Sequence, residues 1–346
     1  MLDSGFGASV PPVSYPLGDA VDRLMYVSQC CVCSSVFEEM QAIREHALRR
    51  NVADQVHVAL LYQAGWFMEW MEGPPEGVRA VLRRVARDRR HRGLRLIHMS
   101  RGPRRLTEPW SMAIKQVNEP SDAFEARVVA LRQELREGRS PDPATIWRRL
   151  SMPLRGARAA GQDASASLQR VMVCSARGTG SFDLVRWLGD ARGCEVLDQR
   201  FAGARAEARD VATAYVDLDT AMGSVVRRVV AMARNGLLIG LTQAFLADYT
   251  HVVLELSGSG SHDTGLMRLL TSACSRLVHR PVVVGIGAQG CDHLALRKLA
   301  HAGGLVYLDC DLGGHLHAEA LWSAAEPALD FSLAANSAWL PSRQAH

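Results

Sequence analysis

Alternation of apolar and polar positions from Arg23 to Ser28 places Leu24, Tyr26 and Ser28 on one face of a short strand. After a cysteine-bearing turn, Ser35 and Glu38 stand at capping-box spacing, where a hydroxyl and a carboxyl satisfy free N–H groups of a first helical turn. Val36, Met40, Ile43 and Ala47 then recur at helical spacing and predict a helix closing at Asn51. Val56 to Tyr62 and Trp66 to Glu72 read as two strands joined by Gln63, Ala64 and Gly65, a hairpin-length connection. Pro74 and Pro75 open a second helix, with Val78, Val81, Leu82 and Val85 as its apolar stripe, Arg79, Arg83, Arg87 and Asp88 off it, and an end expected near Gly93. Leu94 to Met99 and Trp110 to Val117 complete the set as two further strands. The order β-α-β-β-α-β-β predicts an α+β, ferredoxin-like domain over residues 23–118, with helices on one face of a mainly antiparallel sheet.

Phe124, Val128, Leu131 and Leu135 mark an amphipathic helix, and a shorter one spans Pro143 to Leu150; both are expected on the free face of that sheet. Pro153 to Ser167 is rich in Pro, Gly, Ala and Ser and reads as a linker, so residues 119–167 form a helical connector. From residue 168 to 346 the writing changes. Near-continuous apolar runs at 170–175, 195–197, 214–218, 251–256, 281–286 and 304–308 alternate with helical patterns, which predicts an α/β doubly wound domain on a parallel sheet buried on both faces.

Two domains suit a chain of 346 residues. Forty basic residues against 36 acidic ones leave too small an excess to indicate nucleic acid. Residues 1–22 are mostly small and uncharged and read as a flexible arm, without the basic-then-apolar order of an export signal. No apolar run reaches the roughly 20 residues that cross a bilayer. The expectation is a soluble, cytoplasmic protein, no membrane partner, and eight reduced cysteines.

Cys30, Cys31 and Cys33 are close enough to share a soft ion or to act in redox chemistry, while small buried side chains at a strand-to-helix turn is the simpler reading. His251, His262, His279, His293 and His301 have no zinc or haem spacing. The loop Ser175 to Ser181 opens a helix and offers free N–H groups to an anion, without the full phosphate-loop spacing. Ser257 to Ser261 follows another strand, and the two loops are expected to frame one crevice. No nucleophile–base pair or metal set defines a reaction, so no enzyme is expected.

Six landmarks occur in order across the first domain. They are Tyr26 on the first strand, Asn51 closing the first helix, and Leu60-Leu61-Tyr62. Phe67 to Gly73, Arg87 to His91, and Trp110-Ser111-Met112 follow. In this register the segment resembles a BLUF domain, a sensor of blue light using FAD. The resemblance implies a flavin ring between the two helices, held by Asn51, Arg84, Asp88, Arg90 and His91 and flanked by Trp110, with Tyr26 as electron and proton donor. Arg84 and Asp88, four apart, are expected on one helical face. Two positions depart from the family. Glu69 replaces the glutamine whose amide rearranges in light, and His57-Val58 replaces a smaller pair, setting two larger side chains beside the ring. A carboxylate only accepts hydrogen bonds, so Glu69 serves there only when protonated. The implied function is a sensory protein whose FAD-binding input domain controls the α/β output domain, with a regulatory protein partner and scope for a homo-oligomer. The alternative is a flavin-free, BLUF-like scaffold acting as a protein-binding regulator with a small ligand in the C-terminal domain.

Overall fold

A computed structural model describes residues 20–33, 35–116, 119–154, 167–201, 211–220, 225–238, 240–275, 277, 279–288, 290–312 and 317–337. The arm expected over 1–22 therefore lies outside the described residues up to position 19, as does most of the linker, 155–166. Residues 20–22 already belong to the first strand.

The first unit runs β1 (Ala20–Cys30), α1 (Val36–Ala53), β2 (His57–Gln63), β3 (Trp66–Gly73), α2 (Pro75–Val85), β4 (His91–Pro103) and β5 (Trp110–Gln116), the order expected. Its strands lie side by side as β5-β2-β3-β1-β4, with only the β2–β5 pair parallel. Ser35 caps α1 by accepting the Glu38 N–H at 3.4 Å, as the capping box predicts. The β2–β3 connection is tighter than the three residues expected, because Gln63 pairs with Trp66 and only Ala64 and Gly65 turn the chain. Both have positive φ, 51° and 80°, the requirement of a type I′ hairpin. Ala64 bears a Cβ penalty there, so Ala64→Asn is expected to raise unfolding stability by about 1 kcal/mol in chemical denaturation. An unchanged midpoint would rule out strain at this turn.

Strand alternation splits the first unit into two layers. Tyr26, Val58, Leu60, Phe67, Met71, Met112 and Ile114 face α1 and α2. Met25, Val27, Ala59, Leu61, Trp66, Met68 and Trp70 face the other way, onto α3 (Ser121–Arg136) and α4 (Pro143–Ser151). The connector thus covers the second sheet face, through Phe124, Val128, Leu131, Ile146, Trp147 and Leu150.

The second unit runs β6 (Ser167–Ser175), α5 (Gly180–Arg192), β7 (Leu197–Phe201), β8 (Val211–Asp219), β9 (Val225–Met232), α6 (Gly240–Phe245), β10 (His251–Glu255), α7 (Gly260–Cys274), β11 (Val282–Ala288), α8 (His293–Ala302), β12 (Tyr307–Leu312) and α9 (Ala318–Ser337). Strands β9-β6-β10-β11-β12 are mutually parallel. One side of this sheet packs on α7 and α8, the other on α5 and α9. The sheet is mixed, not wholly parallel, because β7 and β8 join it antiparallel. Strand β9 (VVRRVVAM) escapes a hydropathy reading because Arg227 and Arg228 interrupt its apolar run. Both are buried: Arg228 pairs with Asp217, and Arg227 with Asp330 on α9. Antiparallel pairing of β5 with β7 then makes the two units one twelve-stranded sheet among the described residues.

Two expectations about α2 fail. The helix ends at Val85, not near Gly93, and β4 starts at His91 with Gly93 in the left-handed region at φ 63°. Asp88 therefore sits in the turn beyond the helix, and Arg84 and Asp88 do not share a helical face. The apolar stripe of α2 stops at Val85, and the arginines beyond it have nothing to bury.

Candidate functional site

Tyr26 and Glu69 are direct cross-strand partners of β1 and β3, so their side chains emerge together toward α1 and α2. The Tyr26 hydroxyl donates to Glu69 Oε2 at 2.7 Å, and both residues are buried. Burial pushes the Glu69 carboxyl up to about 7, against the smaller opposing effects of the Tyr26 hydrogen bond and the Arg84 charge. Burial and the neighbouring carboxyl likewise raise Tyr26 well above the ordinary phenol range. Below about pH 7 the pair holds a proton on Glu69, which can then donate one hydrogen bond while accepting another from Tyr26.

Asn51, buried on the last turns of α1, meets Arg84 on α2: an Arg84 guanidinium nitrogen donates to Asn51 Oδ1 at 3.4 Å and to Asp54 Oδ2 at 2.6 Å. Asp88 instead receives the backbone and side chain of Arg90, and Arg90 also reaches Glu39 on α1 at 3.4 Å. His91 pairs through Nδ1 with the Ser28 hydroxyl at 2.8 Å and stacks 4.7 Å from Phe67. Burial lowers its pKa to about 4, so the ring is neutral at physiological pH. Trp110 packs against the apolar clusters beneath both helices, and its indole Nε1 is buried without a partner.

The structure thus brings Tyr26, Glu69, Asn51, Arg84, His91 and Trp110 to the layer between the β-sheet and α1/α2, and sets Asp88 and Arg90 at its rim. An unpartnered indole N–H, a side-chain amide, a guanidinium and a protonatable carboxyl are donors and acceptors that fit the carbonyl and imide edge of a flavin. The expected crowding is corrected in part. His57 faces the opposite layer, where Nδ1 contacts the Leu106 carbonyl at 2.6 Å, so only Val58 stands on the candidate face. Sequence reasoning missed Asp54 and Ser28 as site members. Strand alternation put Ser28 beside Tyr26, whereas nothing in the sequence marks Asp54.

Elsewhere, Cys31 and Cys33 are exposed and Cys30 only partly buried, against the expectation of buried side chains. Among the described residues no group of three or more His, Cys, Asp or Glu is placed to hold a metal ion. The two glycine-bearing loops do adjoin, since Ser175 and Glu255 are register partners at the ends of β6 and β10. The Glu255 carboxylate accepts from Ser175 Oγ at 2.5 Å and closes on Gly180, where an added Cβ would meet its oxygens at 2.0 Å. An acid thus occupies the helix start expected to offer its free N–H groups to an anion. His293 has a defined setting, 2.8 Å from Tyr307 Oη and 2.9 Å from Asp311 Oδ1.

The Glu69 shift carries a pH dependence. Its folded pKa, about 7, exceeds the unfolded value near 4.5, so the native state holds the proton more tightly and loses stability as pH rises between those values. His91, depressed to about 4, works oppositely, adding stability as pH rises toward 6.5. Glu69→Gln removes only the first effect, as Glu69 is not among the groups that shift His91. The stability of Glu69→Gln relative to the parent is expected to grow by on the order of 3 kcal/mol between pH 4.5 and 7. A difference flat with pH in urea titrations would contradict the buried, protonated carboxyl.

Residues 21–113 match the model of the BLUF family, described as sensors of blue-light using FAD. The N-terminal third of the chain is thus a BLUF-type domain, and BLUF domains bind FAD. Among curated proteins no match is found. A bacterial light-regulated adenylyl cyclase is 26% identical, over 34% of this chain and 34% of that one, with a TM-score of 0.26. BlrB, a BLUF protein in its dark state, is 25% identical over 34% of this chain and 86% of that one, with a TM-score of 0.25. Superpositions so partial add nothing to the family match, and this chain spans about a third of the cyclase. No helix among the described residues is long and apolar enough to cross a membrane.

Proposed function

We propose that this chain is a cytoplasmic blue-light sensory protein in which the BLUF-type domain binds FAD between α1 and α2 and controls the second, doubly wound α/β unit as an output. The observation that carries the reading is the buried Tyr26–Glu69 pair, facing the two helices within the segment that matches the family. FAD, when bound, supplies blue-light absorption and an electron acceptor. Asn51 and Arg84 would hold its polar edge, Trp110 would offer its unpartnered indole N–H, and Asp88 and Arg90 would close the rim. Tyr26 stands as the electron and proton donor, and Glu69 carries the proton that replaces one amide hydrogen of the family's glutamine.

The route to the output lies in the other layer. Trp70, next to Glu69 on β3, stacks on Trp147 of α4 and Phe245 of α6, with ring centroids 5.6 to 6.4 Å apart. Glu72, further along the same strand, accepts the Arg105 and Leu106 backbone N–H groups at 2.6 and 2.8 Å. Asp248 gathers Arg148 at 2.8 Å, Arg170 at 3.6 Å and Arg105 at 3.8 Å, joining connector, second unit and the β4–β5 loop. A change on β3 is thereby felt by the second unit as a shift in population between packed states. The output presents a surface to a regulatory protein partner and performs no catalysis itself.

The full chain, purified after flavin supplementation, is expected to be yellow with flavin absorbance. A colourless protein would overturn the sensor reading. It would instead favour the flavin-free scaffold, which draws on the internal pairing of Tyr26 with Glu69 and of Asn51 with Arg84.

A further inference from the structure

Three thiols lie within four residues where β1 gives way to α1: Cys30, Cys31 and Cys33, none in a disulfide. They are not equivalent. Cys30 continues β1, donates its N–H to the Gly65 carbonyl at 2.8 Å and packs against the apolar cluster of Met40 and Phe67. Burial raises its thiol, and the neighbouring Cys31 and Cys33 push it the same way, so it is a poor nucleophile. Cys31 and Cys33 are exposed, and the turn folds one back on the other, with Cys33 Sγ 3.8 Å from the Cys31 carbonyl oxygen.

We propose that Cys31 and Cys33 form a reversible dithiol–disulfide site that exchanges with low-molecular-weight disulfides of the glutathione class. One of the two thiolates attacks a sulfur of the small disulfide, breaking its S–S bond and releasing one small thiolate, which takes up the proton lost from the protein thiol. The second protein thiolate then attacks the mixed disulfide, forming the Cys31–Cys33 bond and releasing the other small thiol. Two protein thiols are oxidised and one small disulfide is reduced to two thiols, so atoms and electrons balance. Closure acts on the candidate site through the backbone, since the Cys31 N–H donates to the Arg90 carbonyl at 2.9 Å and Arg90 holds Asp88 and Glu39. The site needs no cofactor, so its test is independent of flavin binding.

The full chain is equilibrated with increasing ratios of oxidised to reduced glutathione, quenched by alkylation and digested with trypsin, and the Leu24–Arg44 peptide is sequenced by mass spectrometry. The peptide is expected to lose two hydrogens, with Cys30 alkylated and Cys31 and Cys33 joined, and dithiothreitol should restore three alkylated thiols. Cys31→Ser and Cys33→Ser should each abolish the bond, while Cys30→Ser should leave it intact. Three free thiols at every ratio, a glutathione adduct that never closes, or a bond through Cys30 would each overturn the assignment.

Discussion

Glu69→Gln is expected to confer a reversible shift of the flavin absorbance band in blue light at pH 8, where the parent protein shows none. The reason is the hydrogen-bonding inventory of one side chain. At pH 8 the Glu69 carboxyl, with a pKa of about 7, is mostly ionised and can only accept, and the Tyr26 hydroxyl already donates to it at 2.7 Å. An amide donates and accepts at any pH, so its rearrangement can reverse a hydrogen bond without a proton from solvent. The Tyr26 and Glu69 backbones are register partners, so the replacement changes chemistry without moving the strand. Difference spectra of parent and variant at pH 6 and pH 8 check this. A flavin-loaded variant that stays spectrally silent would refute Glu69 as the residue that sets the light response.

Trp147→Ala is expected to be the most destabilising single change at the junction, costing about 3–5 kcal/mol. Trp147 is 4% exposed and closes a three-ring cluster with Trp70 of the first unit and Phe245 of the second, which also touch each other with ring centroids 5.8 Å apart. Truncation leaves a cavity lined by two large rings that a helix anchored by its Asp142 cap cannot close. Among the described residues β5 and β7 pair at only two register positions, so the aromatic cluster and the Asp248 ion pairs supply further contact between the units. Urea unfolding is therefore expected to change from one transition to two, first unit and second unit separately, followed by tryptophan fluorescence and far-ultraviolet circular dichroism. A loss below 1 kcal/mol with a single transition would refute the aromatic cluster as the coupling element. Val129→Ala on the exposed side of α3 serves as the control and should stay within about 0.5 kcal/mol of the parent.

Much of the first unit is determined by the sequence alone. Its strands alternate with period two and its helices carry stripes with Ser35 or proline starts, so element order and the two-layer split follow from local pattern. The candidate residues Tyr26, Asn51, Glu69, Arg84 and Trp110 were marked by the resemblance to the BLUF family, while strand alternation and helix position decide which layer each side chain enters. Other features needed the tertiary structure. The end of α2 at Val85 depends on where burial stops. Strand β9 is invisible to hydropathy because Arg227 and Arg228 become core residues only when Asp330 and Asp217 arrive from elsewhere in the chain. Likewise, Glu255 occupies the start of α5 through a contact 75 residues away in sequence. Local periodicity reports which face is apolar; it carries no information on charge pairs and sheet neighbours brought together over long separations, and these decided the mixed sheet and the junction, while burial beneath the two helices decided the protonation of Glu69.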